Sequence, residues 1–149
     1  MRHFLQYWKE DLNDLDGTLN HAASAQFKRV QPNDVLWIVT LIDRRLTLLG
    51  TIVVGKVVEQ KEAKSLLGDV WTAPLHVIAK DGTEMKSIKA DIQALAPDLR
   101  FNSERDRLTL PNRNRTDGRQ LQILRELSPG TVKQLETVLK SKAKGNAAF

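Results

Sequence analysis

Few residues in this chain are suited to bond-making chemistry. His3, His21 and His76 show no metal-ligand spacing, and His76 lies in an apolar run where a packed imidazole is the simpler reading. The absence of cysteine excludes disulfides, cysteine-ligated zinc, iron–sulfur clusters and a thiol nucleophile. No phosphate-binding or dinucleotide glycine loop is present. Val57-Val58-Glu59-Gln60-Lys61 has the apolar-apolar-Glu-x-Lys form of metal-dependent nucleases, with Asp43 upstream. Two carboxylates on one metal must lie within a few ångström of each other. Asp43 and Glu59 flank a strand of about 13 residues, roughly 40 Å long when extended, so this site is rejected. No metal, cofactor or catalytic group is expected.

Binding chemistry is better represented. Tyr7, Trp8, Trp37 and Trp71 offer flat apolar walls for a nucleic-acid base, and Ser24, Gln26, Thr40 and Asp43 offer polar groups to read its edge. Trp37 sits within an apolar run, where a core position competes with a pocket wall. Charge points the same way. Residues 1–98 carry 12 basic and 13 acidic side chains, whereas residues 99–149 carry 11 and 5. The excess is concentrated in Arg100, Arg105, Arg107, Arg113, Arg115 and Arg119. Guanidinium groups match phosphate oxygens in a planar, two-pronged geometry, so a polyanion is the expected partner. Lys28, Arg29, Arg44 and Arg45 extend the candidate phosphate-binding set. A solvated basic face with local ion pairs is the competing explanation.

The elements that must position these groups are legible in part. The chain has 149 residues, a length suited to one domain with its own core. His3 to Trp8 predicts a strand, and Lys9 to Gly17 a loop or one helical turn. Leu19 to Phe27 is alanine-rich and predicts a short helix capped by Asn20. Val35 to Ile42 and Leu46 to Val58 are apolar runs about the polar break Asp43-Arg44-Arg45, and they predict an antiparallel hairpin buried on both faces. Gly50 and Gly55 inside the second run predict bulges that curl the sheet into a barrel. Glu59 to Leu67 predicts a helix closed by Gly68. Leu75 to Ala79 predicts a strand followed by a turn at Asp81-Gly82, and Pro97 interrupts any helix near it. Arg107 to Leu110 predicts a last short strand. Leu121, Leu124 and Leu127 predict one helical face. Ser128-Pro129 starts a further helix with the stripe Val132, Leu135, Val138 and Leu139, making a helical hairpin. The expected fold is α+β: a curled antiparallel barrel with flanking helices, with residues 102–149 a basic helical extension of the single domain 1–149. No apolar run approaches the ~18 residues that span a bilayer, so a soluble, cytoplasmic protein is expected.

The order HFLQYW, LNHAASAQF, VQPNDVLWIVTL, a turn, then LLGTIVVGKVV resembles the PUA-like superfamily, and most closely the prokaryotic EVE domains, relatives of YTH and ASCH domains. The shared features are a polar turn before a strand, then Gly50-Thr51-Ile52-Val53-Val54-Gly55, then the tryptophan-containing GDVWTAPLHVIAKD. The similarity covers about residues 2–101. The resemblance implies a pseudobarrel whose aromatic-lined pocket takes up a modified base of DNA or RNA. On that pattern Ser24 is the small hydroxyl residue at a helix start, Thr40 lies beside the pocket, and Trp71 is the cage tryptophan. Where YTH domains place a further tryptophan this chain has His21 and Ala22, so the second wall is His21, or Tyr7 and Trp8 reaching across. The expected function is a non-catalytic reader of a modified, methylated DNA base such as 5-methylcytosine, serving a modification-dependent defence beside a separate nuclease. The alternatives are an RNA-binding module and an ASCH-type amidohydrolase using Lys9, Thr40 and Glu59.

Overall fold

The structure, a computed structural model, describes residues 1–9, 17–110 and 114–147. The acidic stretch between Lys9 and Gly17 falls mostly on residues 10–16, outside the described residues, as does Arg113. The strands are β1 (His3–Tyr7), β2 (Thr18–Leu19), β3 (His21–Ser24), β4 (Val35–Ile42), β5 (Arg45–Glu59), β6 (Leu75–Ala79), β7 (Met85–Lys86), β8 (Ala90–Asp91) and β9 (Arg125–Glu126). The α-helices are α1 (Gln60–Leu67) and α2 (Pro129–Ala147). The main sheet runs β3-β6-β5-β4-β1-β9, with β8 on β5, and β2 pairs with β7 apart from it. The fold is α+β and strand-rich, and the sheet is not a closed barrel. Nor is it wholly antiparallel, because β1 runs parallel to β4.

The β4–β5 hairpin is the frame. Its turn is two residues long: Ile42 already pairs with Arg45, and Asp43 and Arg44 have φ of +52° and +63°. Positive φ at both central positions matches the right-handed twist of a two-residue hairpin. β4 is buried on both faces because its side chains alternate between two cores. Val35, Trp37 and Val39 enter one with Leu46, Leu48, Leu121, Leu127, Val132 and Leu135. Leu36 and Ile38 enter the other with Phe4, Ala22, Phe27, Leu49, Ile52, Val54 and Val77. Both interior glycines mark breaks in register. Ile38 faces Gly50 and Val39 faces Leu48, leaving Leu49 unmatched. Val54 pairs with Ala79 and Lys56 with Ile78, leaving Gly55 unmatched. A Cβ on Gly55 would sit 2.9 Å from the Lys80 Cα, and Gly50 has a φ of +147°. These bulges bend β5 so that its first part serves β4 and its last part β6.

The sheet's two edges approach each other without a ladder between them. After β3, the Gln26 side chain donates through Nε2 to the Gln122 carbonyl at 2.7 Å and accepts at Oε1 from the Leu124 amide at 2.5 Å. Arg29 lies 3.9 Å from Glu126 of β9. One glutamine amide thus supplies the donor and acceptor that a paired strand would present.

Three expected elements differ. Residues 19–27 form β2, β3 and a single 3₁₀ turn at Phe27–Arg29, because backbone pairing of His21–Ser24 with β6 outweighs alanine's modest helix preference. Leu121, Leu124 and Leu127 do not share a helical face. Leu121 and Leu127 enter one core and Leu124 packs on the other, with β9 between them. The C-terminal third therefore holds one α-helix instead of a helical hairpin, and it contributes to the core. Arg107 to Leu110 is not a strand; the Gln120 side chain takes the partner's place, accepting from the Thr109 amide at 2.8 Å and donating to its carbonyl at 2.6 Å. The expected α1 closes at Gly68 (φ +82°), and α2 starts at Pro129 with the stripe buried at Val132 and Leu135.

Candidate nucleic-acid interface

His21 lies on the edge strand β3 and His76 on the neighbouring β6. Antiparallel pairing of Ala22 with Val77 brings their side chains onto the same sheet face. The His21 Nε2 and His76 Nδ1 are 2.7 Å apart, and the rings stack 5.0 Å apart at 8°. The other nitrogen of His76, Nε2, lies 2.5 Å from the Gln60 Oε1. That oxygen also accepts from the Ala73 amide at 3.0 Å, which identifies it as the carbonyl end of the glutamine. A carbonyl oxygen only accepts, so His76 carries its proton on Nε2. Its Nδ1 is then an acceptor, and His21 must donate from Nε2. Burial lowers the pKa of both histidines, and for His21 the neighbouring His76 lowers it further. The backbone of Ala73 acts the other way on His76. Both rings are neutral at pH 7, and His76 is fully buried.

Gln60 also shapes the loop. Gly68 ends α1 in a left-handed conformation, and the Ala73 hydrogen bond ties the returning chain to the helix's first residue. Between these points Trp71 stands 49% exposed. A groove of about 460 Å³ is lined by His21, Asp69, Val70 and Trp71. It therefore offers an indole face, an imidazole and a carboxylate.

The other expected pocket residues lie elsewhere. Trp37 is 2% exposed and donates from Nε1 to the His3 Nδ1 at 3.0 Å, so it is a core residue with no face for a ligand. Thr40 is fully buried and donates to the Trp8 carbonyl at 2.6 Å; it holds the end of β1 and reads no base. Trp8 is half-buried against the core that contains Phe4. Tyr7 packs on the opposite core and lies against Gly118. Ser24 sits at the end of β3, with side chains alternating so that it faces away from His21, and accepts from the Gln26 amide at 3.0 Å. Gln26 is occupied in joining the sheet edges, and Asp43 is exposed at the hairpin tip. Of the nine expected pocket residues, His21 and Trp71 are brought together in one groove.

The arginines are brought together more fully. A cleft of about 630 Å³ is lined by Arg105, Arg107, Arg119 and Arg125, with Asp106 and Asp117 among them. Through Asp117 it adjoins a cleft holding Arg44 and Arg115, where the Thr116 amide donates to the Arg44 carbonyl at 2.9 Å. Through Arg105 and Arg125 it adjoins a third, lined by Arg29, Glu104 and Glu126. The result is one strip of adjoining arginine-bearing clefts from the hairpin tip to β9. Lys28 is exposed on the turn beside Arg29. Arg45 is an exception, because it grips Asp91 through Nε at 2.6 Å and Nη2 at 3.3 Å. That contact raises the Arg45 pKa and lowers that of Asp91, so its planar face is already matched to a carboxylate. Arg125 escaped sequence reasoning because it lies outside the dense arginine segment. Its guanidinium stands 5.1 Å from the Phe101 ring centroid, and its Nη1 is buried without a hydrogen-bond acceptor.

Catalytic arrangements are not assembled among these residues. Thr40 pairs with Thr47 near the start of β5, whereas the exposed Glu59 ends that strand, so the Lys9, Thr40, Glu59 trio does not converge. Asp43 and Glu59 are separated by the same strand. Among the described residues no three His, Asp or Glu side chains cluster as metal ligands, and no helix is long and apolar enough to cross a membrane. Comparison with protein-family models, with curated proteins and with solved structures finds no match.

Proposed function

We propose that this chain is a non-catalytic nucleic-acid-binding module of the PUA-like, EVE type. It takes a modified DNA base against His21 and Trp71 and holds phosphates along the arginine strip. The observation that carries this reading is the continuity of three clefts bearing Arg29, Arg44, Arg105, Arg107, Arg115, Arg119 and Arg125. A row of guanidinium groups suits a polymer of phosphates better than a single small anion. The groove adds one exposed tryptophan beside a flat imidazole, the surfaces on which a base stacks. Phosphate contacts set position and the groove sets preference. In this reading the module works in the cytoplasm and marks modified DNA for a separate nuclease.

The test is fluorescence polarisation with matched duplexes carrying plain, 5-methylcytosine, hydroxymethylcytosine or methyladenine bases, and with the corresponding RNAs. Affinity should fall steeply with salt. Arg105→Ala with Arg107→Ala and Arg119→Ala should weaken all probes alike and flatten the logarithmic salt slope by about one for each phosphate that is no longer held. Trp71→Ala should remove the preference for one modified probe and leave the salt slope unchanged. Tighter binding to unmodified structured RNA than to any DNA would move the reading to an RNA-binding module.

A further inference from the structure

Resting on that reading, we infer that His21 is the residue that selects the bound base, acting as a hydrogen-bond acceptor for an exocyclic amino group. The chemistry follows from the chain Gln60, His76, His21. The Ala73 amide fixes the Gln60 carbonyl oxygen, that oxygen fixes the proton on the His76 Nε2, and the His76 Nδ1 in turn takes the proton on the His21 Nε2. Each link leaves the next ring one tautomer. At the end of the chain the His21 ring, which lines the groove, retains an unprotonated Nδ1 as its only acceptor. The other polar side chain lining the groove, Asp69, is also an acceptor when ionised.

A groove whose histidine and carboxylate both accept suits a ring that presents N–H groups. Cytosine and adenine present an exocyclic amino group with two hydrogens. Uracil and thymine keep one ring N–H, at N3, but place a carbonyl oxygen where cytosine has its amino group; there an acceptor faces an acceptor and both lose their water. Stacking on Trp71 contributes to every base alike, so the discrimination falls to the two acceptors, of which His21 has its state fixed by the hydrogen-bond chain. His76 and Gln60 are positioning residues: neither lines the groove, and they act by fixing which His21 nitrogen holds the proton.

The experiment uses the full chain and duplexes in which one test base stands opposite an abasic site, so that leaving the stack costs little. The test bases are cytosine, N4,N4-dimethylcytosine and uracil. Cytosine should bind about tenfold more tightly than the other two, and His21→Phe should retain binding while bringing all three together. Equal binding of cytosine and uracil by the unaltered protein overturns this inference and leaves the nucleic-acid reading standing. Failure to bind any duplex or RNA overturns that reading and the inference with it. Independently of any ligand or variant, nitrogen NMR should show His21 protonated at Nε2 and bare at Nδ1. A proton on Nδ1 would overturn the assignment.

Discussion

The His21–Trp71 groove and the arginine strip are built by opposite means. The groove rests on adjacent strands β3 and β6 and the first residue of α1, and a chain of three hydrogen bonds determines the state of its histidine. The strip is carried largely by residues 102–126, where ladder pairing is brief and glutamine side chains do the joining: Gln120 to Thr109, and Gln26 to Gln122 and Leu124. One region holds neutral rings in a single arrangement; the other holds mostly exposed cations on largely irregular backbone, Arg125 of β9 excepted. The difference matches the tolerance of the two tasks proposed for them. Reading a base edge needs donors and acceptors held within a fraction of an ångström, which strand pairing and the hydrogen-bond chain supply for His21. Attracting phosphate works over several ångström and survives small shifts in each guanidinium.

The largest expected effect tests the frame of the groove. Gly55→Ala places a Cβ against the Lys80 backbone, which cannot give way as a side chain would. It should cost about 2–3 kcal/mol and lower the midpoint of thermal unfolding followed by circular dichroism. Gly130→Ala is the control, since nothing lies within 4 Å of its added Cβ, and it should leave stability unchanged or raise it slightly. An equal loss in both would mean that the β5 bulge is not the sensitive point.

Next comes the joint between the two regions. Gln26→Ala leaves the Gln122 carbonyl and the Leu124 amide to solvent, with a cost of about 1 kcal/mol because exposed groups regain water. Amide hydrogen exchange should quicken in residues 118–126 and stay slow in β6. Uniform quickening would mean that the two regions unfold as one unit.

A pH titration separates the groove's histidine pair from the Arg45–Asp91 ion pair by charge. The His21 and His76 pKa values are lowered in the folded protein, so the unfolded chain binds protons first as the pH falls. Stability from the pair is complete above about 6.5 and is lost as the pH drops from there toward the folded values. Asp91, whose pKa is lowered by Arg45, loses its contribution only below about 3.8. The thermal midpoint should therefore begin to fall below pH 6.5, and His76→Phe should shrink that first step, leaving the part due to His3, whose pKa burial also lowers. A first step unchanged in this variant would exclude the pair as its source.

The smallest effect is assigned to Arg45→Ala. This exposed ion pair lies outside the strip's clefts, so its removal should leave DNA affinity unchanged and stability within experimental scatter. A loss of affinity comparable to that of Arg119→Ala would place Arg45 within the strip after all.

Much of the frame was legible in the residues themselves. The β4–β5 hairpin, the bulging glycines, the stop at Gly68 and the start at Ser128-Pro129 are patterns a few residues wide, set by side-chain alternation and by the backbone freedom of glycine and proline. The base-pocket list was less legible, because a residue's type shows what it can bind and not which face it occupies. Trp37 became core through the alternation of β4 between two covered faces, and Leu124 parted from Leu121 and Leu127 because a 3₁₀ turn at Gly118–Leu121 and strand β9 replace the helix that would have aligned them.

From β4 to the end of α1, and at the start of α2, the residue sequence determined where strands turn, bulge and give way to helix, since those choices are settled between near neighbours in the chain. Only tertiary structure set His76 against His21, 55 residues away, or Gln26 against Leu124, 98 residues away. It also decided which arginines remain exposed in the strip and which, like Arg45, are already matched to a carboxylate. A hydrogen bond is satisfied by whatever partner the folded chain brings within about 3 Å, and no local pattern records that meeting.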